Sequence, residues 1–170
     1  MHGLRQLACD ATRRIGRRML AMVAPGLLLW VPPLVAEPSE PAIAVIVAPS
    51  LVAALPLNQA MLIGVFRRKR QLWDDRTPIA PVNMPASHAL RRNFSLWLFK
   101  RSPEDLQAYW NDQYFHGVLP PPVLASEEAV IRFVASTPGA IGYVSACSVD
   151  KRVLVAALLK GPDGAAPCAH

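Results

Sequence analysis

The chain has 170 residues, 52% of them hydrophobic, which is enough for about one globular domain with a hydrophobic core. Its net charge of +6 comes mostly from the first 36 residues, which hold five of the eighteen basic residues and one acidic residue. The remaining 13 basic and 11 acidic residues nearly balance, which argues against a basic nucleic-acid-binding protein, and we expect no nucleic-acid partner.

The first 36 residues have the three parts of a signal peptide. Residues 1–18 are polar and rich in arginine, residues 19–36 are uncharged and apolar, and an acidic, proline-rich stretch follows. We therefore expect cleavage after Ala36 and a periplasmic mature protein. Two alternatives stay open. The apolar run is just long enough to remain as a membrane anchor, and the pair Arg13-Arg14 is compatible with twin-arginine as well as general export.

The three cysteines give a weak indication of the compartment. Cys9 would be removed with the signal peptide, whereas Cys147 and Cys168 remain in the mature chain. These two either form one disulfide, as an oxidising compartment allows, or remain as two separate thiols.

The mature chain begins with a strand and a helix. The segment Pro41–Ala48 is short, apolar and rich in β-branched residues, which is typical of a buried strand. A helix is predicted over Leu57–Phe66, with Asn58 as its N-cap. The basic run that follows, Arg67–Arg70, either stabilises the negative end of the helix dipole or forms a site for an anion or an acidic partner.

A turn and a short strand come next. The turn Gln71–Pro78 is anchored by Trp73. The strand Ile79–Asn83 contains Pro81, which lacks the backbone N–H that a central strand needs. We therefore expect this strand at a sheet edge, or the proline at a strand end.

A second helix is predicted over Ser87–Phe99, opened by Ser87. Its large apolar residues recur at helical spacing and share one face. Arg91, Arg92 and Ser95 are expected to point away from that face.

The rest of the chain contains two helices and two strands. The segment Ser102–Asp105 indicates the start of a third helix, because a capping serine is followed by proline and two acidic residues. A loop over Phe115–Pro122 separates this helix from a fourth, which Ser126 caps. Strands are predicted over Ala140–Ser145 and Arg152–Leu158.

Strands therefore alternate with helices along the chain. This order predicts an α/β domain with one mixed sheet flanked by helices. We place the domain at residues 37–160, between the signal peptide at residues 1–36 and a disordered tail at residues 161–170.

Several short motifs follow one another in a characteristic order: the strand at residues 42–48, Phe66, Trp73, Ser87, Phe94 and the segment Thr137–Val144 (TPGAIGYV). The last of these is the most distinctive. In this order and at this spacing, the stretch from Ile43 to Leu158 resembles the second lobe of the phosphate-binding proteins of bacterial ABC transporters. These proteins have the periplasmic binding protein type II fold, so the resemblance implies one lobe of that fold here.

The resemblance also implies a ligand site. In that family, phosphate is held by backbone N–H groups and hydroxyls at helix N-termini, with an arginine nearby. The corresponding residues here are Ser87, His88, Ala89 and Arg91, where His88 and Ala89 replace the family's glycine and threonine. A helix start does attract oxyanions, because its first N–H groups lack partners and its dipole is positive there. Alternatively, Ser87 is an N-cap and has no other role.

The sequence gives no indication of an enzyme. Two of the four histidines are close to the termini, and no catalytic or metal-binding spacing is present, so we expect no enzymatic activity, cofactor or metal. The leading hypothesis is an exported solute-binding-like domain for a small oxyanion such as phosphate or sulfate, or an accessory to transport or sensing beside an ABC permease or other membrane partner. The alternative is a protein-interaction module that kept the fold and lost the ligand site, for example as a homodimer.

Overall fold

A computed structural model describes residues 42–54 and 56–159, without the side chains of residues 52–54. The expected signal peptide at residues 1–36 and the expected tail at residues 161–170 lie outside the described residues and remain predictions. Within the described ranges, no helix is long and apolar enough to cross a membrane.

The described residues form a four-stranded mixed sheet. Its strands are β1 (Ile43–Val47), β2 (Ala80–Pro81), β3 (Ala140–Ser145) and β4 (Leu154–Leu159), in the spatial order β2-β3-β1-β4. β1 pairs antiparallel with both β3 and β4, whereas β2 is parallel to β3. β2 is an edge strand, as its proline predicted, and β1 is central and buried throughout, as its apolar sequence predicted.

Within the described ranges, four α-helices accompany the sheet: α1 (Gln59–Phe66), α2 (Ala89–Phe99), α3 (Gln107–Phe115) and α4 (Glu127–Ser136). Two of their starts follow directly from the sequence. The side chain of Asn58 accepts a hydrogen bond from the N–H of Met61 at 2.9 Å, and the Ser126 hydroxyl accepts one from Ala129 at 3.2 Å. The predicted fold class, a mixed sheet flanked by helices, is therefore confirmed.

The third helix starts later than predicted. Ser102 and Asp105 form a reciprocal pair, with backbone-to-side-chain hydrogen bonds of 3.0 and 3.2 Å. However, this pair closes a turn, and α3 begins only at Gln107, whose N–H donates to the Glu104 carbonyl three residues back. The buried Leu106 lies between the turn and the helix.

Helices pack on both faces of the sheet. Neighbouring residues of β3 point to opposite faces, so Tyr143 and Gly142 contact different helices. Tyr143 packs on one face, where its ring stacks on Phe94 with the centroids 3.9 Å apart and Phe66 completes the aromatic cluster. Gly142 faces α4 on the other side, where a Cβ atom would lie only 2.6 Å from a Val130 methyl group. The glycine therefore allows α4 to approach the sheet closely.

Gly139 has a backbone reason for its place in the distinctive segment Thr137–Val144. Its φ of +74° is in the left-handed region, and a Cβ atom would lie 2.1 Å from the Pro78 carbonyl oxygen. The Gly139 carbonyl accepts hydrogen bonds from the Trp73 indole at 3.0 Å and from Ala80 at 3.1 Å. Trp73 thus anchors its turn to the start of β3, in agreement with the prediction.

Candidate functional site

The site predicted at the start of the second helix is built around His88. α2 begins at Ala89, two residues later than expected, and His88 is its N-cap: the ring Nδ1 accepts a hydrogen bond from Leu90 N–H at 3.3 Å. Ser87 lies in the preceding turn and is exposed. The interpretation of Ser87 as the N-cap is therefore wrong, because the imidazole one residue later reaches the same backbone group.

The first turn of α2 leaves backbone donors without acceptors. Leu90 N–H is used by the His88 ring, and Arg92 N–H donates to the His88 carbonyl at 3.1 Å. The N–H groups of Ala89 and Arg91 have no acceptor among residues 42–54 and 56–159. These two amides lie at the positive end of an 11-residue helix, so they favour a negatively charged oxygen.

Arg91 is buried, with only 7% of its surface exposed, although the helical pattern predicted that it points away from the apolar face. Its Nη1 donates a hydrogen bond to the side-chain oxygen of Asn83. No acidic side chain forms an ion pair with Arg91 in the described part of the chain. Among these residues the partner of this guanidinium is thus neutral, and no carboxylate compensates its positive charge.

Tyr143 completes a buried polar network. Its hydroxyl donates to Asn83 Oδ1 at 3.4 Å and accepts a hydrogen bond from Met84 N–H at 3.2 Å. A phenol is protonated at neutral pH, and burial raises the pKa of Tyr143 further, so its hydroxyl remains a donor. Two donors therefore converge on Asn83, which holds the Arg91 side chain at the start of α2.

The proline-rich loop is attached to this network through the backbone of Asn83. Asn83 N–H donates to the Pro122 carbonyl at 2.8 Å, and its own carbonyl accepts from Leu124 N–H at 2.8 Å. Together these bonds make an isolated parallel bridge between Asn83 and Val123. The predicted loop thus lies directly beside the candidate site.

The four predicted site residues occupy one turn, but they differ in character. Ser87 and Ala89 are exposed, His88 is partly buried and caps the helix, and Arg91 is buried. Asn83 and Tyr143 were not predicted to belong to the site. One feature of the sequence did indicate Asn83: an asparagine at the end of an apolar strand needs hydrogen-bond partners for its side-chain amide.

The other candidates of the sequence analysis have contacts elsewhere in the domain. Arg70 pairs with Asp74 at 2.6 Å, Arg68 donates to the Ile79 carbonyl at 3.2 Å, and the Arg67 guanidinium lies over the rings of Phe99 and Tyr109. Three of the four residues in the basic run thus have contacts within the described residues, which argues against a free anion site there; stabilisation of the helix dipole by the run remains a prediction.

The remaining polar groups of the described residues form no further candidate site. His116 is the exposed C-cap of α3, and its Nδ1 lies 2.8 Å from the Asp112 carbonyl of that helix. No group of three or more potential metal ligands occurs among the described residues. Cys147 is disulfide-bonded, so it is not a separate thiol, and its pairing with Cys168 remains a prediction.

The described architecture is similar to that of several solved proteins. An ABC-type phosphate transport receptor from Vibrio cholerae has a TM-score of 0.52 and 20% identity, and the match covers 77% of this chain and 49% of the receptor. A putative phosphate ABC transporter substrate-binding protein with bound phosphate from Clostridium perfringens has a TM-score of 0.55 and 19% identity, covering 74% of this chain and 46% of that protein. PstS from Borrelia burgdorferi has a TM-score of 0.53 and 18% identity, covering 76% and 50%.

This chain therefore spans about half the length of the solved structures that it matches. No protein-family model and no curated protein matches the sequence. At these identities the likeness concerns the fold, and at that level the resemblance is confirmed: the described residues have the α/β fold found in substrate-binding proteins of phosphate ABC transporters.

Proposed function

We propose that this protein is an exported, periplasmic solute-binding-like domain that binds a small oxyanion such as phosphate or sulfate at the start of α2. In this role it serves transport or sensing as an accessory beside an ABC permease or another membrane protein, with no nucleic-acid partner and no catalysis. The fold supports the solute-binding class, since the three solved proteins are a transport receptor and substrate-binding proteins.

The observation that carries this proposal is the buried, uncompensated charge of Arg91. A buried guanidinium is normally paired with a carboxylate, but here Asn83 provides one neutral oxygen. A bound oxyanion would supply the missing negative charge. A hydrogen bond to a charged group contributes about 1.5–3 kcal/mol, so Arg91 with the two unpaired amides supports dissociation constants in roughly the micromolar to millimolar range.

Calorimetric titration of the purified protein with phosphate and with sulfate tests the proposal. We expect binding for wild type and a loss of at least about tenfold in affinity for Arg91→Met, because the charge is removed while an aliphatic side chain fills the space. Arg92→Met is the matched control. Arg92 is the next residue, but it is exposed and faces Glu104 at 3.6 Å, so its loss should leave binding nearly unchanged.

Thermal unfolding of each variant shows whether it is folded. If wild-type protein gives neither heat nor a melting shift with millimolar phosphate or sulfate, the oxyanion proposal is wrong, because a ligand that binds the native state must stabilise it.

The second candidate function, a protein-interaction module, is favoured by the surface of α3. This helix has no buried residue, and apolar side chains at its end and in the following loop remain in solvent: Tyr114 is 64% exposed, Phe115 85% and Leu119 61%. Patches of this kind mark contact sites for other proteins. If the patch forms a homodimer, sedimentation equilibrium will give a dimer for wild type and a monomer for Phe115→Ser. If the wild-type protein is a monomer over the whole concentration range, the homodimer is excluded as the interaction in which this patch takes part.

A further inference from the structure

We propose that the ligand of this site is an organic oxyanion, an anionic group attached to an apolar or aromatic body, and that the inorganic ion binds more weakly. This inference rests on the proposed function, because it adds a second contact to the site at the start of α2. The second contact is the apolar side chain of Val123.

Val123 is placed by the same residue that holds Arg91. In the parallel bridge between Asn83 and Val123, the paired residues lie side by side, and paired residues of neighbouring strands project to the same face. The Asn83 side chain accepts hydrogen bonds from Arg91 and Tyr143 on that face. Val123 therefore flanks the polar network on the side where Arg91 lies.

The position of Val123 is fixed, but its side chain is left in solvent. Both backbone hydrogen bonds of the bridge are 2.8 Å long, so the residue is held by β-type pairing, unlike a freely moving loop residue. Nevertheless, 60% of its surface is exposed, and Leu119, four positions earlier in the loop, is 61% exposed. The surface therefore has two parts, the apolar side chain of Val123 and the positive charge of Arg91, which fit the apolar part and the anionic part of one ligand.

Charge and burial together select the class of ligand. The uncompensated guanidinium of Arg91 and the amides of Ala89 and Arg91 require anionic oxygens. An inorganic phosphate or sulfate satisfies these groups but leaves Val123 in water. A phosphate or sulfate ester with an aromatic body satisfies the same donors and also removes apolar surface of Val123 from water, which is favourable. Both esters share the chemistry that the site recognises.

Titration with phenyl phosphate and with inorganic phosphate at pH 8, where both are mainly dianions, measures the predicted difference. We expect phenyl phosphate to bind about tenfold more tightly, since six added carbon atoms contribute a modest amount each. Phenol, which has the ring without the anionic group, should not bind measurably at millimolar concentration.

Val123→Ser identifies the side chain responsible. We expect the ratio of the two dissociation constants, inorganic phosphate over phenyl phosphate, to fall from about ten to about three or less, because the apolar contact is lost. Val155→Ser is the control. Val155 is also an exposed valine, at 39%, but it lies on β4 at the opposite edge of the sheet from β2, so its variant should keep the wild-type ratio.

Three outcomes separate the two proposals. A wild-type ratio near one, with clear binding of inorganic phosphate, overturns the organic-ligand inference and leaves the oxyanion function standing. A high ratio that Val123→Ser does not lower also overturns it, because the apolar contact would then lie elsewhere. The absence of binding by either phosphate overturns the proposed function itself. Melting temperatures close to that of wild type establish that both serine variants are folded.

Discussion

β3 and α3 are elements of similar size in opposite environments. All six residues of β3 are buried, and each face of the strand packs against helices. No residue of α3 is buried; the Tyr109 hydroxyl, which donates to the Arg67 carbonyl at 2.8 Å, is a specific link between this helix and the end of α1. We therefore expect substitutions in β3 to lower the free energy of unfolding of the domain strongly, whereas substitutions around α3 should lower it less and mainly alter the surface of the domain.

The largest effect is expected for Gly139→Ala, just before β3. An alanine Cβ would lie 2.1 Å from the Pro78 carbonyl oxygen, and the φ of +74° is itself unfavourable for alanine. We expect a loss of about 3 kcal/mol or more in the free energy of unfolding, measured by urea denaturation.

Gly117→Ala, just after α3, is the matched control for Gly139→Ala. Its φ is +75°, but a Cβ atom at Gly117 would have no neighbour within 4 Å. Only the left-handed backbone conformation is then unfavourable for alanine, and it costs about 1–2 kcal/mol. Equal losses for the two variants would show that the close contact with Pro78 contributes nothing.

A smaller loss is expected for Tyr143→Phe in β3. The variant removes the acceptor of Met84 N–H and one donor to Asn83 while it keeps the ring that stacks on Phe94. Leaving a buried donor unsatisfied costs about 1–3 kcal/mol. If oxyanion binding weakens as well, Asn83 needs this second donor to position Arg91.

The same variant has a pH signature. Burial raises the pKa of Tyr143 above its usual value near 10, so the folded protein keeps this proton at a pH where the unfolded chain loses it. The resulting stability is present below about pH 10 and is lost as the pH rises towards the folded-state pKa. We expect the decline of wild-type stability above pH 10 to be shallower in Tyr143→Phe. Identical slopes would contradict a titrating role for this phenol.

The sequence predicted best those features of the fold that depend on residues close together in the chain. Asn58 and Ser126 cap helices because their side chains reach the backbone three residues on, and such short-range geometry is legible in the sequence. The strands β1 and β3 were also located well, since continuous apolar runs bury on both faces.

The candidate site was less predictable, because its geometry depends on distant contacts. Helical periodicity assigned Arg91 to the polar face, but Asn83, eight residues earlier, draws its guanidinium into the interior. Tyr143 reaches the same network from 60 residues away in sequence. The start of α2 was misplaced because serine is the commoner cap, whereas here the His88 ring takes that role.

On the α3 side of the comparison, Tyr109→Phe should have a modest effect. The variant removes the hydrogen bond from the Tyr109 hydroxyl to the Arg67 carbonyl, while the ring can still contact the Arg67 guanidinium. We expect a loss of about 0.5–1.5 kcal/mol in the free energy of unfolding. Hydrogen exchange should rise in α3 before it rises in β3. Uniform exchange over both elements would mean that α3 is not a separately opening unit.

The smallest effect is expected for Ser95→Ala in the interior of α2, and it sharpens the contrast with Tyr143. The Ser95 residue is fully buried, and its hydroxyl has no hydrogen-bond partner among the described residues. Burying such a group is unfavourable, so its removal should leave the free energy of unfolding unchanged or raise it by up to about 1 kcal/mol. A loss of more than about 1 kcal/mol in urea denaturation would contradict this and would mean that the hydroxyl binds a buried water. If Ser95→Ala has the expected small effect while Tyr143→Phe is destabilising, hydrogen bonding, more than burial, decides which buried hydroxyl can be removed.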